Sequence, residues 1–362
     1  MRIGILGTRG IPNFYGGFEQ FTQYLSEGLV KAGHDVFVYN SHLHPYQEKT
    51  WNGVDLVHCY DPEEKIGTAG QFIYDLNCII DSRKRHFDII LQLGYTSSSI
   101  WNWLFPKNVP IVTNMDGLEW KRSKYSKPVQ SFLKFAEKLA VLFSDQLIAD
   151  SKGIQSYLKE KYNKDSVYIP YGANVFSSPN ENVLKNYGLT PYKYDMLIAR
   201  LEPENSVEEI LDGFAASTVN RDFLIIGNTK TALGKKLIDK YQDGRFKFVG
   251  YVKGIEKLDS LRYFSNLYFH GHSVGGTNPS LLEAMASNAF ICAHDNIFNK
   301  AILGDDAVYF SSVEEVCALV ESILKKEAEK SILSNIEKVS KIYAWGNIIS
   351  QYEAFLKDNL KN

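Results

Sequence analysis

The sequence predicts an α/β protein of two doubly wound domains, and three observations carry that expectation. Short, almost wholly apolar runs alternate with longer amphipathic segments from one end to the other. A turn-rich stretch interrupts the alternation midway, after which it restarts. The length of 362 residues suits two domains of roughly 150 residues, each able to bury its own core.

In the first half the apolar runs predict strands at Arg2–Leu6, Asp35–Tyr39, Val54–Cys59, Asp88–Leu93, Pro110–Asn114, Gln146–Ala149 and Ser166–Pro170. Helical periodicity predicts helices at Phe18–Lys31, Gly70–Asp81, Val129–Phe143 and Lys152–Lys161. Strands apolar on both faces belong in a parallel sheet covered by helices. Ser177–Tyr194 is rich in turn formers and reads as a linker. Beyond it, strands are expected at Asp195–Ala199, Asp222–Gly227, Arg245–Gly250 and Asn266–His270, and helices at Val207–Ala216, Lys230–Tyr241 and Ser280–Ala286. Two consecutive βαβ arrays imply two doubly wound domains with a cleft between them. The tail from Val313 is expected to be helical, with Gly346 marking a break.

Composition removes several function classes. Forty Lys and Arg against 42 Asp and Glu leave a net charge of −2, so there is no basic excess for wrapping nucleic acid. Cys59, Cys78, Cys292 and Cys317 are scattered, without C-x-x-C pairs, which suits a reducing cytoplasm and small core side chains. "MRIGILG" is too short an apolar run for a signal peptide, and no stretch of about 18 apolar residues could span a membrane. One segment, Glu119–Lys138, is locally basic: Lys121, Arg122, Lys124, Lys127, Lys134 and Lys138 oppose Glu119 and Glu137. Interleaved Phe132, Phe135, Leu139 and Leu142 suggest an amphipathic helix with a core face and a solvated basic face. The sharper reading of the same segment is a surface that meets anionic lipid or a pyrophosphate-bearing acceptor.

Four segments could carry chemistry. "GTRGIPNFYGGFE", Gly7 to Glu19, follows the first strand and opens a helix, where glycines let backbone amides approach a phosphate. A turn that merely needs glycine explains the same residues. Gly4, Gly7 and Gly10 are spaced G-x-x-G-x-x-G, and the second strand ends in Val38–Tyr39–Asn40 without an acid for a ribose, so NAD binding is a minority reading. "HGHSVGGTNPSLLEAMA" leads Gly275, Gly276, Thr277 and Asn278 into a helix with Pro279 at its first position, where free amides could hold a diphosphate. Glu283, a turn further on, stands among Leu281, Leu282, Ala284 and Met285 and must find a partner there, ribose hydroxyls being one candidate. "LIARLEPEN" puts Arg200 at the exit of a strand, where open α/β sheets bind ligands and a guanidinium suits phosphate, although Glu202 or Glu204 could equally pair with it. In "NMDGLEW", Asp116 or Glu119 could position a sugar hydroxyl or take its proton, and Trp120 could stack on a sugar face; Asp116–Gly117 is also an ordinary turn pair. His270 and His272 alternate as metal ligands sometimes do, but without a supporting cluster they read as satisfied loop histidines.

At these residues the sequence resembles the family 4 glycosyltransferases of the GT-B type, over nearly the whole chain. "DSKGIQSYL" and "YIPYGAN" resemble the close of the first domain, "ARLEPENSVEEILDGF" the phosphate-binding strand–loop–helix, and "NPSLLEAMAS" the helix with the ribose-binding Glu. "YAWGNIISQYEAFL" resembles the last helix, which in that fold crosses back to the first domain. "GTRGIPNFYGGFE", "DGLEWKR" and "HSVGGTNPSLLEAMA" are closer still to a bacterial subgroup of rhamnosyltransferases. Two positions depart from the general pattern: Gly275 stands where the first Glu of an E-x7-E pair is usual, and Asn205 where a Lys follows the phosphate Arg. The first departure puts the usual hexose donor in doubt, the second the diphosphate grip; Lys230 is the substitute cation the sequence offers.

The resemblance implies a first domain over 1–176 completed by a helix at 345–362, and a nucleotide-sugar domain over 190–344. It implies transfer from a nucleoside diphosphate sugar (a UDP-, GDP- or dTDP-sugar, dTDP-rhamnose among them) to a saccharide or lipid-linked saccharide acceptor in surface-polysaccharide synthesis. Transfer is expected to be retaining, in the cytoplasm or at the inner face of the membrane, with no nucleic-acid partner, no metal and no cofactor beyond the donor substrate. Arg200 and Asp116 are the catalytic candidates. Gly16, Gly17, Arg200, Lys230, Gly276, Thr277, Asn278 and Glu283 are assigned to the donor, the Gly16–Gly17 amides approaching its phosphates as the cleft closes. Tyr15, Glu19, Asp116, Glu119 and Trp120 are assigned to the acceptor. A catalytically silent sugar-nucleotide binder and an NAD(P)-dependent oxidoreductase remain the alternatives.

Overall fold

The computed structural model of the chain describes residues 1–14, 16–122, 125–273 and 276–360. They form two compact units. One comprises Met1–Lys121, Tyr125–Tyr171 and the chain from Trp345 onward, and the other comprises Arg122 and Gly172–Ala344.

The first unit is built on an eight-stranded sheet of β1 (Arg2–Leu6), β2 (Asp35–Ser41), β3 (Thr50–Trp51), β4 (Val54–Cys59), β5 (Ile89–Leu93), β6 (Ile111–Asn114), β7 (Gln146–Ala149) and β8 (Val167–Tyr168). The spatial order is β3-β4-β2-β1-β5-β6-β7-β8, parallel throughout except for the β3–β4 hairpin. β5 and β6 are buried along their whole length, the consequence of helices on both faces. Helices α1 (Gly17–Lys31), α2 (Glu63–Ile66), α3 (Gly70–Ser82), α4 (Lys127–Phe143) and α5 (Lys152–Tyr162) connect the strands. α1 buries Phe21, Leu25 and Leu29, spaced four apart on one stripe.

The second unit holds a six-stranded parallel sheet in the order β11-β10-β9-β12-β13-β14. Its strands are β9 (Tyr194–Ile198), β10 (Asp222–Ile226), β11 (Phe246–Gly250), β12 (Tyr268–His270), β13 (Ile291–His294) and β14 (Val308–Phe310). Its helices are α6 (Asn182–Lys185), α7 (Val207–Ala216), α8 (Ala232–Lys240), α9 (Ile255–Phe264), α10 (Pro279–Ala286), α11 (Ile297–Leu303), α12 (Val313–Ser322) and α13 (Glu329–Lys338), the last running into a π turn at Val339–Tyr343. Phe214, Phe223, Phe269 and Phe310 pack together at its core.

The final helix α14 (Trp345–Asp358) returns to the first unit, where it lies on α1. Trp345 stacks on Tyr24 at 4.6 Å, the Asn114 amide donates to the Tyr352 hydroxyl at 2.9 Å, and Glu353 meets His34 at 2.8 Å. Gly28 permits this approach: a Cβ there would lie 2.4 Å from Cδ1 of Ile349.

Three expectations need correcting. The stretch read as a linker is largely packed structure: it contains α6, buries Val183, Leu184 and Leu189, and bonds Asn180 and Tyr192 to α9. The break in the tail falls at Ala344, which is extended, and Gly346 lies inside α14. On α4 the buried stripe is Leu133, Ala136, Glu137, Ala140 and Val141, while Phe135 and Leu142 stand exposed at 53% and 63%. The helix is rotated because Glu137, a letter that reads as surface, is held inside by five side chains. It accepts from the hydroxyls of Tyr157 and Tyr162 at 2.6 Å each, Tyr95 at 3.4 Å, Trp120 Nε1 at 3.0 Å and Lys161 Nζ at 3.0 Å.

Candidate functional site

In an open parallel sheet, ligands bind beyond the carboxyl ends of the strands where the order reverses. In the second unit that reversal falls between β9, from which the chain winds toward β10, and β12 on the other side. The loops leaving β9 and β12 are therefore the first place to look.

Arg200 leaves β9 with its side chain exposed. Its carbonyl accepts from the Glu202 amide at 2.8 Å and from Asn205 Nδ2 at 2.7 Å. Asn205 is buried, so the residue standing in place of a Lys is spent on shaping the loop that carries Arg200. The β12 loop is pressed against this one. A Cβ on Gly271 would lie 2.1 Å from the Asn205 carbonyl oxygen, so the contact requires glycine. Ser273 donates its amide (3.0 Å) and hydroxyl (2.8 Å) to the Glu204 carbonyl.

Next along the chain, Gly276 is half-buried, Thr277 is buried, and Asn278 caps α10 by accepting from the Ser280 amide at 2.9 Å. Pro279 occupies the first helical turn. Lys230 lies one strand further out, after β10, with its side chain exposed. Arg200, Gly276, Thr277 and Asn278 are thus set on the two loops flanking the reversal, with Lys230 to one side.

Glu283 has the partner its surroundings demanded, and the partner is protein. Its Oε2 lies 2.5 Å from Nη2 of Arg262, which is 1% exposed and also bonds Asp259 at 2.7 Å and Ser280 at 3.4 Å. The sequence reading missed Arg262 altogether, because it sits 21 residues upstream on α9 with no motif around it. Burial, the largest influence, and Glu283 push the Asp259 carboxyl above its ordinary range, against the pull of Arg262.

The two histidines are not satisfied loop residues. Their rings stack at 4.4 Å, 14° from parallel. Among the described residues, neither ring nitrogen of the buried His270 has a hydrogen-bond partner, nor does Nδ1 of His272, nor do the buried carboxylate oxygens of Glu204. Burial first, and then the Arg200 guanidinium, push the His272 imidazole down to about 3, so the ring is neutral. No third metal-ligating side chain joins the pair among the described residues.

In the first unit the order reverses between β1 and β5, and the Gly-rich loop lies there. Its glycines answer to packing. At Gly7 (φ +91°) a Cβ would meet the Leu93 carbonyl at 2.0 Å, and at Gly10 (φ +124°) the Asn40 side chain at 2.4 Å. Asn40, at the position where an NAD site offers an acid, is buried and spends its side chain on both the amide and the carbonyl of Ile11. That commitment argues against the dinucleotide reading. Gly16 and Gly17 are exposed. Glu19 turns back into the loop, accepting from the Arg9 amide at 3.0 Å and from Thr8 Oγ1 at 3.3 Å.

Asp116 follows β6 in a left-handed conformation (φ 50°), its amide bonded to Asn114 Oδ1 at 3.0 Å, and Glu119 opens the short turn Glu119–Lys121. Trp120 is not a bare platform: Nε1 is bonded to Glu137, and the ring is faced by Lys134 at 4.4 Å and Lys161 at 5.4 Å. Tyr15, Gly275 and Lys124 lie outside the described residues.

Two Rossmann-like parallel sheets with a last helix returning to the first unit define the GT-B fold of glycosyltransferases. The similarity runs the length of the chain. Sucrose-phosphate synthase from Thermosynechococcus elongatus superposes with a TM-score of 0.79 at 16% identity, covering 99% of this chain and 98% of that one. HepE of Anabaena in complex with UDP-glucose gives 0.77 at 14% identity, covering 99% and 100%. An α,α-trehalose-phosphate synthase from Burkholderia xenovorans in complex with glucose-6-phosphate gives 0.74 at 10%, covering 99% and 100%. A family model described as a domain of unknown function (DUF1972) matches residues 1–174. A search of the curated proteins finds no match.

Proposed function

We propose that the chain is a glycosyltransferase that moves a sugar from a nucleoside diphosphate donor to a saccharide or lipid-linked saccharide acceptor. The observation that carries the proposal is the exposed Arg200 guanidinium at the β9/β12 reversal of a GT-B fold, beside the loop that leads into the amino end of α10. The neighbours' complexes with UDP-glucose and glucose-6-phosphate support the substrate classes.

In this reading the diphosphate meets Arg200 and the amides of Gly276–Asn278, with Lys230 beside them. When the bond from anomeric carbon to β-phosphate breaks, the nucleoside diphosphate leaves with added negative charge. A preorganised guanidinium stabilises that charge by several kcal/mol, on the order of other electrostatic catalysts. The sugar's anomeric carbon then bonds to the acceptor oxygen with retention, and the acceptor proton passes to the departing phosphate. Glu283 belongs to the ribose region through a carboxylate already neutralised by Arg262. In the first unit the Gly16–Gly17 amides are assigned to the donor, and Tyr15, Glu19, Asp116 and Glu119 to the acceptor, with Asp116 as a catalytic candidate. Trp120 joins that group only through its edge.

dTDP-rhamnose is the first donor to try, on the likeness of the glycine-loop and α10 segments to rhamnosyltransferases, and surface polysaccharide is the product class. The exposed Phe135, Leu142 and Phe143 on α4, flanked by Lys127, Lys134 and Lys138, favour work at an anionic membrane face. No described helix is long and apolar enough to cross a membrane.

The test is a thermal-shift screen of UDP-, GDP- and dTDP-sugars followed by assay of released nucleoside diphosphate, since a ligand of the native state raises apparent stability. A stabilising donor that is consumed in the presence of a saccharide acceptor supports the reading; no stabilisation by any of the three rejects it. The inward-turned Asn205 favours a second reading, a sugar-nucleotide binder without turnover, which the same screen separates by binding without release.

A further inference from the structure

A diphosphate spreads its charge over several oxygens, and the nucleotide reading leaves it with a single guanidinium from the loops at the reversal. Asn205 is committed to the Arg200 carbonyl, and Lys230 stands beyond β9 on the far side from β12. We infer that His272 is the diphosphate's side-chain contact from the β12 side, donating Nε2–H to a phosphate oxygen beside Arg200, with His270 beneath it positioning the ring. This rests on the nucleotide-sugar reading above and adds a residue that neither the family pattern nor the sequence motifs assign.

Four observations support it. His272 is carried by the β12 loop, which Gly271 and Ser273 fasten to the loop bearing Arg200. Its backbone is held from the other side as well, its carbonyl accepting from Asn296 Nδ2 at 3.0 Å and Asn299 Nδ2 at 3.1 Å. The loop that carries the ring is therefore fixed before any ligand arrives, which spares part of the ordering cost of binding. Second, the parallel stack on His270 occupies one face of the imidazole, so it meets a ligand by its edge.

Third, hydrogen-bonding atoms buried without partners are costly, and here they gather on the two stacked rings: both nitrogens of His270 and Nδ1 of His272. With Nδ1 enclosed, Nε2 is the nitrogen left to a ligand. A phenylalanine at 272 would fill the same space without that cost, so packing alone does not account for the imidazole there. Fourth, burial holds His272 neutral, and the positive charges of Arg200 and Arg122 push the same way. A neutral ring does not compete with the guanidinium, yet it still offers an N–H to an anionic oxygen.

The experiment is isothermal titration of UDP, GDP and dTDP against the full chain, native and substituted, with a melting curve for each protein. His272→Ala is expected to weaken the binding of whichever nucleotide the native chain takes about tenfold or more, the usual loss when a hydrogen bond to a charged group is removed. His272→Gln, which keeps an N–H donor at similar reach, is expected to recover most of that loss, and it carries the test if the Ala variant does not fold. His270→Ala is expected to weaken binding as His272→Ala does, and His270→Phe, which keeps a flat ring in the stack, to restore it. Native affinity in His272→Ala, alongside weakened binding in Arg200→Ala, overturns the inference while leaving the nucleotide site standing. Equal loss in the Ala and Gln variants together with a melting point lowered in both makes His272 a scaffold of its loop and also overturns it. Failure of the native chain to bind any of the three nucleotides defeats the inference and the proposed function together.

Discussion

Removing the positive charge of Arg262 should damage the second unit more than any other single change near the candidate site. The guanidinium is 1% exposed and lies between two carboxylates, 2.7 Å from Asp259 Oδ1 and 2.5 Å from Glu283 Oε2, and it touches Ser280 in the first turn of α10. Arg262→Met keeps the length and removes the charge, leaving two carboxylates buried with no cation between them. Breaking a buried ion pair from one side costs about 3–5 kcal/mol. For a unit of this size, at roughly 2–4 °C per kcal/mol, the midpoint should fall by about 10 °C.

The loss should also depend on pH, and its sign follows from linkage. Asp259 is already pushed up, by burial first and by Glu283, and Arg262 is what pulls it back. In the variant only the upward influences remain. A carboxyl whose native value exceeds its unfolded value binds a proton more tightly when folded, so it costs stability once pH passes the unfolded value near 4. The deficit should therefore be small at pH 5 and full at pH 8. Urea denaturation at both pH values measures it. All five tryptophans lie in the first unit, so their fluorescence serves as an internal control while far-UV circular dichroism follows both units. A deficit under 1 kcal/mol, or one equal at pH 5 and pH 8, refutes the reasoning.

Other outcomes follow from the same geometry. Arg200→Ala should lower turnover of the accepted donor by on the order of a hundredfold without shifting the melting point, since an exposed charge-assisted phosphate contact is lost; an unchanged rate removes Arg200 from the mechanism. Gly271→Ala should cost about 1–3 kcal/mol, because its Cβ would lie 2.1 Å from a backbone oxygen that no side-chain rotation can move; a native melting curve would show that the two loops are looser than described. Glu283→Gln should cost about 1–3 kcal/mol through its weakened bond to Arg262, so stability must be measured before any change in nucleotide affinity is assigned to contact. Glu137→Gln should cost a similar amount, about 1–3 kcal/mol, and red-shift the emission of Trp120, whose Nε1 it holds at 3.0 Å; unaltered emission would place the indole elsewhere.

What the chain discloses in advance depends on whether a feature is local. Continuous apolar runs mark strands buried on both faces, and Val207–Ala216 or Val54–Cys59 can be bounded from sequence to the residue. The site loops announce themselves for the same reason: a backbone contact as close as that of Gly271 to Asn205 admits only glycine, and the Asn278–Pro279 cap is a two-residue signal. Side-chain roles are another matter, because they are decided by partners on other elements. Glu137 looks solvated until Tyr157, Lys161 and Tyr162 arrive from α5, and its burial turns the whole of α4, bringing Phe135 and Leu142 to the surface. Asn205 registers in sequence only as a missing lysine, whereas its amide holds the carbonyl of Arg200. Glu283 was visibly in need of a partner, but nothing in the letters around Arg262 identifies it as that partner. Spacing finds the strand ends on which a site is built, and the chemistry of that site then rests on charges and donors whose commitments are contracted across the fold. A substitution chosen on spacing alone, Glu283→Gln among them, therefore tests packing and binding together, and only a paired stability measurement can tell them apart.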